Sequence, residues 1–293
     1  MQALSVESQR PYQSLGVQIY ADDHSVETRD EIETLLGFAE SAVYPIRFSH
    51  VLTCNTAGVP RRVKPIKDFQ SLTDAWVKPG FCSVLHIESN AMNDFLDLSE
   101  SVARFGLRRA LSRSENGGMP GYPMHFGCVR SGPTSDVDAD AFVNRAVDMF
   151  NTSRGRVGLI HSATQHRLML IEVGVACSNP MIPHTVEHTA DRAERIGWER
   201  RDVVGLLAPG AYWGMMLGES MVERLGGLER IERQAPVHST RRLEHGAILL
   251  CATAKPVPLT DPELQARLPD LESYIDPIAV PIGPYFREIL RRV

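Results

Sequence analysis

The stretch Ala211–Ile231, AYWGMMLGESMVERLGGLERI, constrains the chain more than any other. Trp213, Met216, Leu217, Ser220, Met221 and Leu225 recur at three- and four-residue spacing, the period that predicts one face of a helix. Glu219, Glu223 and Arg224 fall off that face and are expected in water. Gly214 and Gly218 lie four apart and would let another element approach the backbone closely. Gly226-Gly227 supplies the left-handed residue that commonly ends a helix, with Leu228 placed to fold back on it. The spacing therefore predicts a core helix followed by its stop signal. Nothing on its apolar face is chemically reactive.

A chain of 293 residues allows one large domain or two of ordinary size. With 43% hydrophobic and 23% charged residues it has the composition of a globular protein, and it is long enough to bury a core without disulfides or metals. Its net charge of −5 excludes a general basic footprint for nucleic acid. Cys54, Cys82, Cys128, Cys177 and Cys251 are far apart, odd in number and never spaced as C-x-x-C. That usage predicts reduced, buried thiols in a cytosolic protein. MQALSVESQRP has no apolar run of the signal-peptide kind. Val203–Gly218, the longest uncharged run, is broken by Pro209 and too short to span a membrane.

Residues 1–14 read as a polar lead, and Leu15–Tyr20 as a strand. Asp22, Asp23 and Ser25 offer helix-starting chemistry ahead of the periodic Ile32, Leu35, Leu36 and Ala39, which predicts a helix over 26–43. Ile46–Thr53 and Val59–Ile66 flank a turn and read as a hairpin, whose outer strand carries Arg61, Arg62, Lys64 and Lys67 as charged edge protection. A strand at 81–88 and a helix at 93–111 follow, the latter ending in Arg104, Arg108, Arg109 and Arg113. Then come the loop SENGGMPG, a strand at 122–130, a helix at 138–150, and strands at 157–161 and 168–177. A helix near 184–197, a short apolar run at 203–207, a strand at 246–253, a short helix started by Thr260-Asp261-Pro262 and a helix near 284–292 complete the order. Hairpins beside helices predict an α+β fold with mostly antiparallel sheet flanked by helices. The expected organisation is one domain over 15–293, with two lobes divided near residue 132 as the alternative.

The segment HTVEH puts His184 and His188 one helical turn apart, with Glu187 positioned to act as a base on metal-bound water. Glu244 or Glu263 would have to supply the third ligand. The pattern is short and follows Pro183, so a solvated helix start is the simpler account, and no metal or other cofactor is expected. Asp136, Asp138 and Asp140 alternate as D-x-D-x-D, but Ala141 and Val147 stand where a calcium loop needs glycine and glutamate. Helix capping explains these acids, and an acidic knob for a basic partner is the functional alternative. G-x-S-x-G, Walker and G-x-G-x-x-G motifs are absent, so the expectation is a non-enzyme.

The order Trp213, Leu217-Gly218, then Leu225-Gly226-Gly227-Leu228 resembles the TsiV family of type VI secretion immunity proteins. His245–Pro256, HGAILLCATAKP, is similar to that family's small-residue strand ending in proline. Leu268–Ile278, LPDLESYIDPI, is similar to its closing segment. The likeness is clearest over Leu206–Ile278, and the run Val257–Asp261 departs from the glycine and acid expected after the proline. The resemblance implies a cytoplasmic protein that neutralises a secreted toxin, with a restriction-endonuclease-like (Tox-REase-5 type) DNase as the expected partner. Asp136, Asp138 and Asp140 are then the candidate partner-binding residues, since nuclease clefts carry positive charge.

Overall fold

The computed structural model describes residues 12–21, 28–54, 64–65, 70, 73–74, 77, 84–88, 102–108, 124–133, 138–163, 208, 211–257 and 261–279. Ten strands among them form one sheet: β1 Tyr12–Ala21, β2 His50–Cys54, β3 Lys64–Pro65, β4 Val84–Glu88, β5 Val102–Arg108, β6 Met124–Pro133, β7 Val157–Ala163, β8 Gly214–Leu217, β9 Ser239–Arg242 and β10 Ile248–Cys251. Their spatial order is β3-β2-β4-β5-β6-β1-β7-β8-β10-β9, and every neighbouring pair is antiparallel. Five helices join them: α1 Arg29–Val43, α2 Ala139–Thr152, α3 Glu219–Arg224, α4 Leu228–Gln234 and α5 Pro262–Ile275. A 3-10 turn, Asp276–Ile278, closes the described chain. This is the α+β architecture that the mixture of hairpins and helices predicts.

One row of paired residues crosses the whole sheet: Lys64, Val51, Ile87, Phe105, Cys128, Val17, Ile160, Gly214, Cys251 and Ser239. Because strand side chains alternate between faces, such a row marks a single face. Ile87, Phe105, Cys128, Val17 and Ile160 on it are at most 1% exposed. Helices α1 and α2 cover this face. The Cys128 sulfur lies 4.0 Å from the Ala39 carbonyl of α1, and burial pushes its thiol pKa up. A Cβ placed on Gly158 would stand 2.9 Å from the Phe150 ring of α2, so that helix rests directly on β7.

The opposite face is also buried where β7, β8 and β10 meet. Val157, Leu159, Met215, Leu217, Ile248 and Leu250 have the other parity and are at most 2% exposed. Edge strand β9 shows that helices stand on both sides. Arg241 donates to the Asn144 side chain of α2 at 2.8 Å, and its neighbour Arg242 forms two 2.8 Å bonds to the Glu232 carboxylate of α4. That pairing, chiefly its hydrogen bonds, holds the Glu232 carboxyl below its ordinary pKa.

Several sequence expectations are corrected. The start of the 211–231 stretch is strand: Ala211 to Gly218 is buried throughout, β8 occupies Gly214–Leu217, and helix begins only at Glu219. A fully buried strand needs no alternation, so its apolar run satisfied the helical period by coincidence. The helix expected at 93–111 gives way to β5, where Phe105 and Leu107 alternate inward. The polar lead is shorter than expected, because β1 begins at Tyr12. Helix α1 starts at Arg29, where Thr28 and Glu31 close a capping box: Glu31 N–H to Thr28 Oγ1 at 3.3 Å, and Thr28 N–H to Glu31 Oε2 at 2.8 Å. Strand β3 does pair with β2 as the outermost strand, although only two residues are described. Helix α5 follows Asp261-Pro262 as expected but runs for 14 residues. The elements expected at 168–177, 184–197, 203–207 and 284–292 lie outside the described residues.

Candidate functional site

Asp138 is the N-cap of α2, its Oδ1 accepting the Ala141 N–H at 2.9 Å. That is the capping role its spacing suggested. Asp140 sits exposed in the first turn, and Asp136 lies outside the described residues. His184, Glu187 and His188 also lie outside them. Glu244 stands exposed in the β9–β10 turn, 3.8 Å from His245, while Glu263 pairs with Arg267 at 3.6 Å on α5. Among the described residues no three His, Cys, Asp or Glu side chains converge as a metal would require. Cys251 is half-buried, which pushes its pKa up.

Motif residues of the C-terminal half hold backbone and side chains together. Trp213 donates its indole N–H to Thr253 Oγ1 at 2.9 Å, and that hydroxyl donates to the Lys255 carbonyl at 2.7 Å. Both Trp213 and Thr253 are buried, so the chain of bonds satisfies groups that water cannot reach. Gly218 N–H donates to the Arg156 carbonyl at 2.8 Å. A Cβ there would stand 2.6 Å from the Gly155 carbonyl oxygen, so only glycine fits this backbone crossing.

A cleft of about 630 Å³ opens beside that crossing. Its walls are the end of α2 and the residues that follow it (Asn151, Arg154, Arg156), the two ends of α3 (Glu219, Arg224) and the β9–β10 turn (Glu244, His245). Three arginines, two glutamates and a histidine are thus among its lining residues. Arg224 donates to the Pro277 carbonyl. Arg154 is exposed and has no side-chain partner among the described residues. Asn151 Oδ1 is buried without a hydrogen-bond partner among them.

Backbone strain concentrates at the same place. Arg154 (φ 48°) and His245 (φ 54°) are the non-glycine residues with positive φ among the described residues, and both line the cleft. His245 and Gly246 (φ 72°) occupy the centre of a hairpin turn closed by Ala247 N–H to the Glu244 carbonyl at 3.1 Å. Arg154 follows the end of α2, where Arg154 N–H bonds Asn151 O at 3.1 Å and Gly155 N–H bonds Phe150 O at 2.9 Å. Those two bonds define a Schellman helix end, whose left-handed position usually holds glycine. Helix α3 ends the same way, with Gly226 N–H to Glu223 O and Gly227 N–H to Val222 O, both at 2.9 Å. There the left-handed residue is Gly226, φ 96°.

The sheet and its two-sided helical cover define an α+β protein built on one long antiparallel sheet. A solved Pseudomonas aeruginosa T6SS protein, PA0821, is similar in fold, with a TM-score of 0.60 at 12% identity over 91% of this chain and 76% of that one. No family model matches the sequence, and no curated protein matches it. No helix among the described residues is long and apolar enough to cross a membrane.

The cleft was not legible in the sequence. Its available signals were Ser153-Arg154-Gly155 after an amphipathic helix and His245-Gly246 before an apolar strand, both of which mark turns.

Proposed function

We propose that this chain is a type VI secretion immunity protein of the TsiV kind, acting in the cytoplasm by stoichiometric binding of a toxin. The observation that carries the reading is the likeness of fold, over 91% of the chain, to a protein of that secretion system. The ordered motifs between Trp213 and Ile278 support it: the Trp213–Thr253 bond ties two of them together, and Gly218 packs a third against the backbone at Gly155 and Arg156. The mechanism is occlusion without catalysis, which needs a rigid surface rather than a reactive centre. A restriction-endonuclease-like DNase of the Tox-REase-5 type is the expected partner. Acidic residues such as Asp136, Asp138 and Asp140 would then speed association with its basic cleft.

The test begins with affinity capture of the tagged chain from its native cells, followed by titration of the captured toxin against DNA cleavage. Inhibition complete at one equivalent supports the reading. Binding without inhibition points instead to an adaptor that loads the effector. A zinc hydrolase built on His184, Glu187 and His188 would lose its activity in the His184→Ala, His188→Ala double variant, whereas immunity should survive it. Loss of protection in that variant, with unchanged circular dichroism, overturns the immunity reading.

A further inference from the structure

We infer that the cleft between the end of α2 and the β9–β10 turn receives an acidic side chain of the toxin, with Arg154 as its anchoring cation. The inference rests on the reading of the chain as a toxin binder and adds a site to it. Two independent features converge there. The first is the cost of the arginine itself. A side chain in the left-handed region is strained, and the same molecule uses glycine at the equivalent position after α3. A basic residue does interact favourably with a helix C-terminus, but Thr152, exposed in the last turn, could have carried that charge in ordinary helical geometry. The left-handed position instead aims Arg154 at the cleft wall, exposed and without a side-chain partner among the described residues.

The second feature is the chemistry of the lining. A guanidinium group binds a planar carboxylate through paired N–H donors. Glu219 and Glu244 share the cleft and oppose a second negative charge, so they favour one carboxylate over the dense charge of a nucleic-acid backbone. Strain held at one wall and a second left-handed residue, His245, at the other fit a preformed pocket rather than an incidental gap.

The experiment uses the full chain with arginine side chains labelled for NMR. Hexaglutamate should move the Arg154 Nε–H resonance, and a single-stranded oligonucleotide should not. The reverse pattern, or no shift with either, overturns the proposal. In parallel, toxin affinity is measured for Arg154→Asn, which tolerates the left-handed backbone, and for Arg154→Lys. The expected result is binding weakened about tenfold or more in R154N, in the range of interface hot spots, and partly restored in R154K. The melting temperature of R154N should stay within about 2 °C of the wild type. A larger fall would mean that Arg154 serves the fold, and the proposal fails. Wild-type toxin binding that R154N leaves intact removes the pocket and keeps immunity. A hexaglutamate shift in a chain that binds no toxin removes immunity and keeps the pocket.

Discussion

Helices α2 and α3 stop with the same pair of backbone hydrogen bonds, yet they spend their glycines differently. After α3, Gly226 takes the left-handed turn, and a Cβ there would meet only the flexible Arg230 side chain, at 2.6 Å from Cδ. After α2, arginine takes that turn and glycine comes one residue later. A Cβ on Gly155 would stand 2.4 and 2.5 Å from the Phe150 ring and 3.0 Å from Ile19 Cγ2. Glycine serves conformation at one end and packing at the other. The comparison teaches that a shared hydrogen-bond pattern does not fix which residue must be glycine; the neighbouring layer decides.

Four substitutions would break or sharpen that contrast, read as changes in chemical denaturation. Gly218→Ala should be the most damaging, at about 3 kcal/mol, because its Cβ meets the Gly155 carbonyl rather than a movable side chain. A loss below about 1 kcal/mol would show that the two segments can part freely. Gly155→Ala should cost about 2 kcal/mol through overpacking, since Phe150 is only 1% exposed and has little room to turn. Gly226→Arg, which copies the α2 ending onto α3, should cost about 1 kcal/mol from the left-handed backbone. An unchanged midpoint would dismiss the idea that an arginine is strained in this position. Arg154→Gly, the reverse exchange, should raise stability by about 0.5 kcal/mol while weakening toxin binding. Improvement in both properties would separate the strain from any role in recognition.

Much of the fold was legible in the sequence because its burial patterns are regular. The alternation of Leu15, Val17 and Ile19 and the helical spacing of Ile32, Leu35, Leu36 and Ala39 each bury the residues they single out. Asp138 was legible as a cap because a carboxylate before an amphipathic run has a local partner in the backbone. One error came where the sheet is buried on both faces. In Trp213–Leu217 every residue is inward-facing, so periodicity carries no information about strand or helix. Between 102 and 108 the arginines mimic a charged helix end, and only the pairing of Phe105 with Ile87 and Cys128 settles the strand. The cleft depends on three chain segments meeting, and a backbone angle such as that of Arg154 is a property of their packing rather than of local sequence.

Strand β1 lies in the middle of the sheet, although it is the earliest of the described strands to be synthesised. Its two neighbours are β6, where Tyr12 meets Pro133, and β7, where Tyr20 meets Val157. A ribosome adding about 5–20 residues per second leaves both edges of β1 unpaired for several seconds after it emerges. Pairing across such long sequence separations is also slow once the partners exist. On the reading proposed above, in which the chain is an antidote, message abundance would run ahead of protection. Survival of a sudden dose would depend on the stock already folded.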